Sequence, residues 1–390
     1  MLKFHSLQIA ALHPEAQDAI AVSLDVPEAL RADYLGQAGQ HVVLRAQLDG
    51  SETRRTYSLI NTPGEWPLRI VARVHERGLM SRFLAEQLRV GDPIDVLPPN
   101  GSLTPHLSKQ GEGQTYVAFA AGCGITPVLS VAKAILQGHP ANQFILLYGN
   151  TSTERTMCLE ELLALKDQYV QRLALHFLMS REPQEVELYN GRVDGARVRE
   201  FARLLFRPEA VAGYFVCGPG DMIDQVTSAL RGLGVGAERI HGEHFTTATV
   251  TTDSPESTGA TAVAAEGQAP QEVPVSAPRP STSAGARERS QPTTRADSAE
   301  VTVLMDGRRR TFTMSMNDDT VLDAAARAGL DLPFSCRAGV CSTCRTKVLS
   351  GKVQMAQNYA LEDWEVEEGY ILACQSRVTT PTLELDYDEK

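Results

Sequence analysis

Three cysteines lie within nine positions near the carboxyl end of this 390-residue chain, and a fourth follows after an interval of 29 residues. They are Cys336, Cys341, Cys344 and Cys374, in the order C-x4-C-x2-C and then a distant cysteine. Four such thiols can form disulfides, hold a zinc ion or ligate an iron–sulfur cluster. Structural zinc sites more often use paired C-x2-C knuckles. This sequence has only one such pair, so zinc is the weaker interpretation.

The observed spacing is typical of a two-iron, two-sulfur cluster. A tight loop must turn three thiolates inward onto such a cluster. Small or flexible residues let the backbone approach the bridging sulfides, and the loop contains Ala338, Gly339, Ser342 and Thr343. The pattern therefore favours a [2Fe–2S] cluster, which carries electrons, over zinc or a disulfide.

Composition and charge exclude some classes of protein. The formal net charge of -11 argues against a nucleic-acid binder, which needs a basic face to neutralise phosphates. No apolar run approaches the roughly 18–20 residues that span a bilayer, so no membrane association is expected. The amino terminus lacks the pattern of a signal peptide. We therefore expect a cytoplasmic protein, in which cysteines serve metal or redox chemistry rather than a disulfide framework.

The chain is too long for one hydrophobic core, and changes in its pattern of apolar and polar residues divide it into several units. Residues 1–112 contain short alternating runs separated by turns, which predict a small antiparallel β-barrel. Residues 113–247 alternate apolar strands with helical stretches at 126–138, 157–169 and 220–234, which predicts a parallel sheet covered by helices. Residues 248–298 contain no aromatic residue, Leu or Ile and read as a flexible linker. Residues 299–390 form a third, compact unit.

This last unit resembles a known family. The sequence predicts a hairpin around Asp306-Gly307 and a helix from Thr320. "LPFSCRAGVCSTC" and "YILACQSRV" closely resemble plant-type ferredoxin domains. The resemblance covers about ninety residues and implies an α+β ferredoxin-like β-grasp fold, in which the four cysteines ligate the [2Fe–2S] cluster.

The amino-terminal unit resembles the flavin domain of the ferredoxin–NADP reductase superfamily, on the strand "RRTYSLI". The resemblance implies FAD, with Arg55 at its pyrophosphate, Tyr57 against the isoalloxazine ring and Ser58 hydrogen-bonded near the reactive N5. It also implies a barrel turn at Val90–Gly101. Gly78 and Ser81 in "ERGLMSRFL" precede a helix, whose amino terminus can receive a pyrophosphate. A simple N-cap is the alternative role for Ser81.

The central unit resembles the nucleotide domain of the same superfamily. "AGCGITP" is similar to its G-x-G-x-x-P turn between a strand and a helix, where small residues let a pyrophosphate reach the helix amino terminus. The matching positions are Gly122, Gly124, Thr126 and Pro127. Cys123 stands where relatives usually carry Thr, which removes one possible hydroxyl contact.

Two further motifs complete this resemblance. "CGPGDM" is similar to the C-G-P-x-x-M element and implies that Cys217, Gly218 and Pro219 lie near the nicotinamide. A small buried hydrophobic residue is the alternative role for Cys217. "RIHGEHF" resembles the closing strand, where relatives carry Glu-x-Phe near the flavin, and this implies roles for Glu243 and Phe245.

The choice of nucleotide depends on the loop after one strand. Ser180 and Arg181 stand where relatives that prefer NADPH bind its 2′-phosphate, and a guanidinium suits a phosphate. An NADH site tends to place a carboxylate on the ribose hydroxyls, and Glu182 is adjacent. The sequence favours NADPH and leaves NADH open.

The order of barrel, nucleotide domain, linker and ferredoxin domain resembles bacterial oxygenase reductases. The resemblance implies hydride transfer from NADPH to FAD, with Tyr57, Ser58, Cys217 and Glu243 around the reacting groups. Electrons would then pass singly to the cluster and on to the oxygenase component of a multicomponent monooxygenase. A ring hydroxylase, a desaturase or a demethylating oxygenase is an alternative client, and the sequence does not distinguish among these three. An alternative of a different class is a redox-sensing binding protein.

Overall fold

The protein is described by a computed structural model covering residues 3–101, 103, 113–244, 271–272, 298–316, 320–361 and 363–389. The chain divides after Thr247 into two compact units, residues 2–247 and 248–390. Within the described ranges, no helix is long and apolar enough to cross a membrane.

The first part of the 2–247 unit is an antiparallel sheet of six strands in the order β4-β3-β6-β1-β2-β5. These strands are β1 (His5–Ala16), β2 (Ala19–Asp25), β3 (His41–Leu48), β4 (Ser51–Ser58), β5 (Leu68–Arg73) and β6 (Pro93–Asn100). A bridge between Leu59 and Ile70 joins the two edge strands at one end. Buried side chains from several strands, such as Leu7, Val22 and Val96, fill the interior. The predicted barrel is therefore confirmed.

The structure differs from the prediction of a turn at Val90–Gly101. Most of this segment, Pro93–Asn100, instead forms strand β6. Proline cannot donate a ladder hydrogen bond, which disfavours it inside a central strand. The structure nevertheless places β6 between β1 and β3. Pro93 is the first residue of the strand, and Pro98 and Pro99 lie where the register with β3 shifts. Both positions tolerate proline.

The second part of this unit is a parallel sheet in the order β11-β10-β7-β8-β9. Its strands are β7 (Thr115–Ala121), β8 (Gln143–Asn150), β9 (Leu173–Met179), β10 (Val211–Gly218) and β11 (Ile240–His244). A short helix α1 (Leu79–Arg82) follows β5, and the sheet is covered by α2 (Ile125–Gly138), α3 (Leu159–Gln168), α4 (Gly195–Leu204) and α5 (Gly220–Gly232). Helices α2 and α3 belong to one apolar cluster and α4 and α5 to another. The predicted parallel sheet with helical cover is confirmed.

Helix α4 was not among the helices that the sequence predicted. Its sequence, "GARVREFARL", is rich in charged residues, and these obscure a narrow apolar stripe of Val198, Phe201 and Ala202. A local signal was present, because Asp194 is a favourable N-cap residue. The Asp194 side chain accepts a hydrogen bond from the Arg197 amide at 2.8 Å.

Helix α2 connects the sheet to the barrel. Its Ser130 hydroxyl donates to the Asn61 carbonyl at 2.5 Å, and the Lys133 ammonium donates to the Ile60 carbonyl at 2.9 Å. Lys133 also pairs with Glu161 of α3, which accepts a 2.8 Å hydrogen bond from Arg69 of β5. Apolar contacts between α2 and the barrel surround these groups. The segment that follows β4 is therefore fixed to the nucleotide domain.

The 248–390 unit contains a five-stranded sheet in the order β14-β13-β19-β15-β17 and a three-stranded sheet in the order β12-β16-β18. The elements are β12 (Gln271–Glu272), β13 (Ser298–Met305), β14 (Arg308–Ser315), α6 (Val321–Arg327), β15 (Arg345–Ser350), β16 (Val353–Met355), α7 (Asp363–Glu367), β17 (Tyr370–Leu372), β18 (Ser376–Val378) and β19 (Thr382–Asp386). The β13–β14 hairpin turns at Asp306-Gly307, and Thr320 caps α6 through its side chain. This α+β arrangement confirms the predicted β-grasp class.

The expected linker, 248–298, lies mostly outside the described residues. Within it, Gln271–Glu272 form β12, which pairs with β16. Ser298 is the first residue of β13 and pairs with Ser315.

Replacing Gly124 by Ala should destabilise the 2–247 unit. A Cβ at residue 124 would overlap the Cys217 carbonyl and lie 2.8 Å from the Gly218 amide nitrogen, and backbone cannot move aside easily. We expect the free energy of unfolding to fall by about 3 kcal/mol or more. Denaturant unfolding of the full-length protein, followed by flavin fluorescence, measures the effect.

The matched control is Gly232→Ala at the end of α5, where a Cβ meets nothing within 4 Å. Its stability should stay within about 1 kcal/mol of the wild type. Equal stability of the two variants would contradict the steric argument.

Candidate functional site

The four cysteines of the ferredoxin unit lie in two separate loops. Cys336 and Cys341 belong to the segment after α6, Cys344 ends a short 3-10 turn before β15, and Cys374 lies between β17 and β18. None of them forms a disulfide. Cys341, Cys344 and Cys374 are buried, whereas Cys336 is partly exposed.

Three of the four thiols have pKa values that are shifted chiefly by neighbouring cysteines, so the four sulfurs lie close together. The pKa of Cys336 lies far below its usual range, chiefly because the Cys341 and Cys374 thiols hydrogen-bond to its sulfur. The pKa of Cys341 and that of Cys374 are raised, because each donates to Cys336; Cys374 also bonds to Cys344. Such a set of sulfurs fits a [2Fe–2S] cluster bound by four thiolates.

The backbone between the first two cysteines turns sharply. Arg337 has φ +54° and Gly339 has φ +72°. The Ala338 amide donates to the Cys336 sulfur at 3.3 Å. No three His, Cys, Asp or Glu side chains within the described residues are grouped to hold a single metal ion.

The flavin-strand residues Arg55, Tyr57 and Ser58 end β4. Arg55 is exposed, and its guanidinium donates to the Arg54 carbonyl at 2.7 Å. Burial raises the pKa of the Tyr57 hydroxyl, Arg55 opposes this shift and Cys123 adds to it. Tyr57 therefore lies close to the glycine-rich turn of the nucleotide domain.

The Ser58 hydroxyl provides a test of whether this site suits a flavin. It is buried and has no hydrogen-bond partner among the described residues. A buried polar atom without a partner is costly unless a ligand or water satisfies it. The orphaned hydroxyl at the end of the flavin-type strand fits a ring with hydrogen-bonding atoms, such as isoalloxazine.

Gly78 and Ser81 occupy the start of α1. Gly78 is the N-cap, and Ser81 is the third helical residue, so the alternative role of Ser81 as the N-cap is wrong. The Ser81 hydroxyl donates to the Gly78 carbonyl and accepts from the His75 amide, both at 3.2 Å. A side chain at residue 78 would collide with this hydroxyl, so Gly78 and Ser81 depend on each other.

The nucleotide motifs meet at the carboxyl edge of the parallel sheet, where open α/β sheets bind ligands. Gly122–Gly124 form a 3-10 turn between β7 and α2. Gly122 has φ +54°, and a Cβ there would meet nothing within 4 Å. The Thr126 hydroxyl donates to the Cys123 carbonyl at 3.0 Å, and Pro127 is the third residue of α2. Open space beside the turn fits a pyrophosphate at the helix amino terminus.

The second nucleotide motif lies beside the first. Cys217 and Gly218 end β10, and Pro219 is the N-cap of α5. Cys217 is fully buried and pairs in register with Ala120 of β7 and Glu243 of β11. The backbone of Glu243 is thereby placed at the same edge, whereas Phe245 lies outside the described residues.

The loop after β9 contains the residues that bear on nucleotide choice. Arg181 is exposed, and the Ser180 hydroxyl donates to the Asn150 carbonyl at 3.2 Å. The Glu182 carboxylate accepts two hydrogen bonds from Thr153, from its amide and its hydroxyl, both at 2.7 Å. These bonds also lower the pKa of Glu182, with the backbone amide as the largest cause.

Arg73, at the end of β5, is a further residue near the nucleotide turn that the sequence did not predict. Arg73 pairs with Asp18 and donates to the Arg155 carbonyl at 3.0 Å. Burial raises the pKa of Cys123, and the positive charge of Arg73 opposes that shift. No motif marks Arg73, because only the packing of the barrel against the sheet brings it to the nucleotide turn.

Three family models match successive parts of the chain. They are the oxidoreductase FAD-binding domain over residues 8–104, the oxidoreductase NAD-binding domain over residues 119–228 and the 2Fe-2S iron-sulfur cluster binding domain over residues 303–379. Fold and site thus define an electron-transfer oxidoreductase that uses FAD, a pyridine nucleotide and a [2Fe–2S] cluster.

Relatives that match along the full length of the chain show which group of electron-transfer oxidoreductases it resembles. The chain is 36% identical to a component of 1,2-phenylacetyl-CoA epoxidase from Escherichia coli K12, over 100% of this chain and 99% of the relative. It is 30% identical to the ferredoxin reductase component of 3-ketosteroid-9-alpha-monooxygenase from Rhodococcus rhodochrous, over 98% and 96%. The solved phthalate dioxygenase reductase shares the fold, with a TM-score of 0.53, 22% identity and 98% of each chain covered. The chain belongs to the family of flavin- and iron–sulfur-containing reductase components of multicomponent oxygenases.

Replacing Ser58 by Ala should weaken FAD binding about five- to tenfold, the effect of one lost hydrogen bond to the ring. The FAD-free variant should be no less stable than FAD-free wild type, because the hydroxyl has no partner among the described residues. Titration of the FAD-free protein with FAD, followed by flavin fluorescence, gives the affinity.

The matched control is Ser51→Ala, at the exposed start of the same strand, which should bind FAD as tightly as the wild type. If Ser58→Ala also binds FAD with wild-type affinity, the hydroxyl does not contact the flavin.

Proposed function

We propose that the protein is the NADPH-dependent reductase of a phenylacetyl-CoA epoxidase. The observation that carries this proposal is the 36% identity, along the full length of both chains, to the component of the Escherichia coli epoxidase. When bound, FAD accepts a hydride from NADPH and supplies electrons singly to the [2Fe–2S] cluster for the oxygenase component. A cytoplasmic location is part of the proposal, because a reducing compartment keeps the cluster-binding thiols available.

The barrel residues would bind and orient the flavin. Arg55 has an exposed guanidinium, which suits the pyrophosphate. Tyr57 offers an aromatic face beside the nucleotide turn, and Ser58 offers an unpartnered hydroxyl for the ring. Gly78 and Ser81 set the start of α1, where amide groups that α1 itself does not pair can meet phosphate oxygens.

The sheet residues would orient the nucleotide. The turn of Gly122 and Gly124, with Thr126 and Pro127 in the helix that follows, offers the amino terminus of α2 to a pyrophosphate. Cys217, Gly218 and Pro219 would border the nicotinamide from the adjacent strand. Glu243 and Phe245 belong to this proposal through the family resemblance alone.

The fixed position of Glu182 supports NADPH over NADH. A carboxylate that receives the ribose hydroxyls of NADH must be available to accept their hydrogen bonds. The Glu182 carboxylate instead accepts both bonds from Thr153. Arg181 is adjacent and exposed, so its charge is available for a 2′-phosphate.

Replacing Arg181 by Gln should raise the KM for NADPH about tenfold and leave the KM for NADH unchanged, because only NADPH carries the 2′-phosphate. Steady-state reduction of ferricyanide with each nucleotide measures both values. Arg199→Gln, an exposed arginine on α4, is the matched control and should change neither KM. An equal rise for both nucleotides would contradict a role of Arg181 at the 2′-phosphate.

A second candidate client is a steroid monooxygenase. The 30% identity to the ketosteroid monooxygenase reductase also extends along both chains, which favours this alternative over other oxygenases. A redox-sensing protein is a candidate of a different class, and sustained turnover with cytochrome c distinguishes it, since a sensor need not cycle quickly.

The client is tested by measuring NADPH consumption with the oxygenase components of the epoxidase from the same cell, with and without phenylacetyl-CoA. We expect consumption that depends on phenylacetyl-CoA and matches epoxide formation. The oxygenase component of a 3-ketosteroid 9α-monooxygenase, with its own substrate, is the comparison. Fast cytochrome c reduction without coupled epoxide would contradict the epoxidase client and leave the reductase activity standing.

A further inference from the structure

The residue after the fourth cysteine directs its side chain back to the cysteine cluster. The amide nitrogen Nε2 of Gln375 lies 2.9 Å from the Arg337 carbonyl, 3.0 Å from the Cys374 carbonyl and 3.5 Å from the Cys374 sulfur. All three neighbours are acceptors, so the NH2 group rather than the amide oxygen must face them. Because the NH2 group has two N–H donors for three acceptors, the Cys374 carbonyl and the Cys374 sulfur share one N–H. Gln375 is 9% exposed, so these bonds are largely shielded from water.

These contacts join the two loops that hold the cysteines. Arg337 lies between the first and second cysteines, whereas Cys374 belongs to the loop between β17 and β18. The backbone of Gln375 is fixed at both ends, since its amide donates to the Leu372 carbonyl and its carbonyl accepts from the Ala356 amide, both at 2.9 Å. These two backbone hydrogen bonds fix the point from which the Gln375 side chain extends.

Gly339 leaves the space that Gln375 occupies. A Cβ at residue 339 would lie 3.1 Å from Gln375 Cγ and 3.0 Å from the Gln357 carbonyl oxygen. Residue 339 also has φ +72°, where a side chain is strained. The turn between the first two cysteines is therefore shaped around the glutamine side chain.

We propose that Gln375 is a positioning residue of the cluster, which donates an N–H···S hydrogen bond to the Cys374 thiolate and thereby raises the reduction potential of the cluster. A ligand sulfur carries more negative charge when the cluster is reduced. A hydrogen-bond donor therefore stabilises the reduced state more than the oxidised state. Hydrogen bonds to the sulfurs are among the known determinants of cluster potential.

The main test is an EPR-monitored redox titration of full-length Gln375→Met, which has similar volume and no donor. We expect the variant to be harder to reduce, with the ratio of reduced to oxidised cluster at the wild-type midpoint falling about three- to tenfold. Gln375→Glu should shift in the same direction and further, because it adds an acceptor that is negatively charged.

The matched control is Gln354→Met on β16, whose side chain has no hydrogen bond among the described residues. It should keep the wild-type midpoint. Iron content and the visible spectrum establish that Gln375→Met holds an intact cluster. If this loaded variant keeps the wild-type midpoint, the donor does not affect the potential and the proposal is overturned.

A second measurement covers the case in which the Gln375 variants do not bind iron. Wild-type protein labelled with 15N in the glutamine side-chain amide should show hyperfine coupling between that nitrogen and the reduced cluster. The Gln354→Met protein should retain this coupling. Its absence in the wild type would overturn the proposal whether or not the variants load.

Discussion

The close approach of α2 to the end of β10 is the constraint on which the reductase half depends. The first turn of α2 lies so near the Cys217 carbonyl that only glycine fits at residue 124. This contact places the amino terminus of α2, which carries the first nucleotide motif, against the second motif at Cys217 and Gly218. Lys133 lies nine residues further on, about 13 Å along the helix, and donates to the Ile60 carbonyl just after the flavin strand. One helix thus sets the separation of the nucleotide turn from the flavin strand.

The charges at this junction keep the separation fixed. Lys133 is 7% exposed and must have a counter-charge, because an unpaired buried ammonium is costly. Glu161 supplies it and also binds Arg69 of the barrel, so three elements share one carboxylate. A buried pair of this kind adds little net stability, but breaking it is expensive. Because breaking the pair is expensive, arrangements of barrel and sheet that separate these charges are disfavoured.

Local motifs were predictable where chemistry fixes residue types at a fixed spacing. The cysteine spacing and the glycine-rich turn are of this kind, since both need particular side chains within one loop. The positions of Arg73 and Gln375 were not predictable, because each acquires its neighbours only when distant segments pack. Strand β6 was missed because its prolines occupy the two places where a strand tolerates them. Helix α4 was missed because charged residues outnumber its buried ones.

The two kinds of site differ in what they can specify. The nucleotide turn acts largely through backbone and small residues, so it recognises a pyrophosphate that many cofactors share. The cysteine loops specify a cluster type, and their hydrogen-bond donors bear on its potential. Neither contains information about the oxygenase that receives the electrons. Full-length relatives carry the names of an epoxidase and of a steroid monooxygenase, so the same order of domains occurs with different clients. The choice of client must therefore depend on surface residues outside these motifs, where shape and charge select a partner.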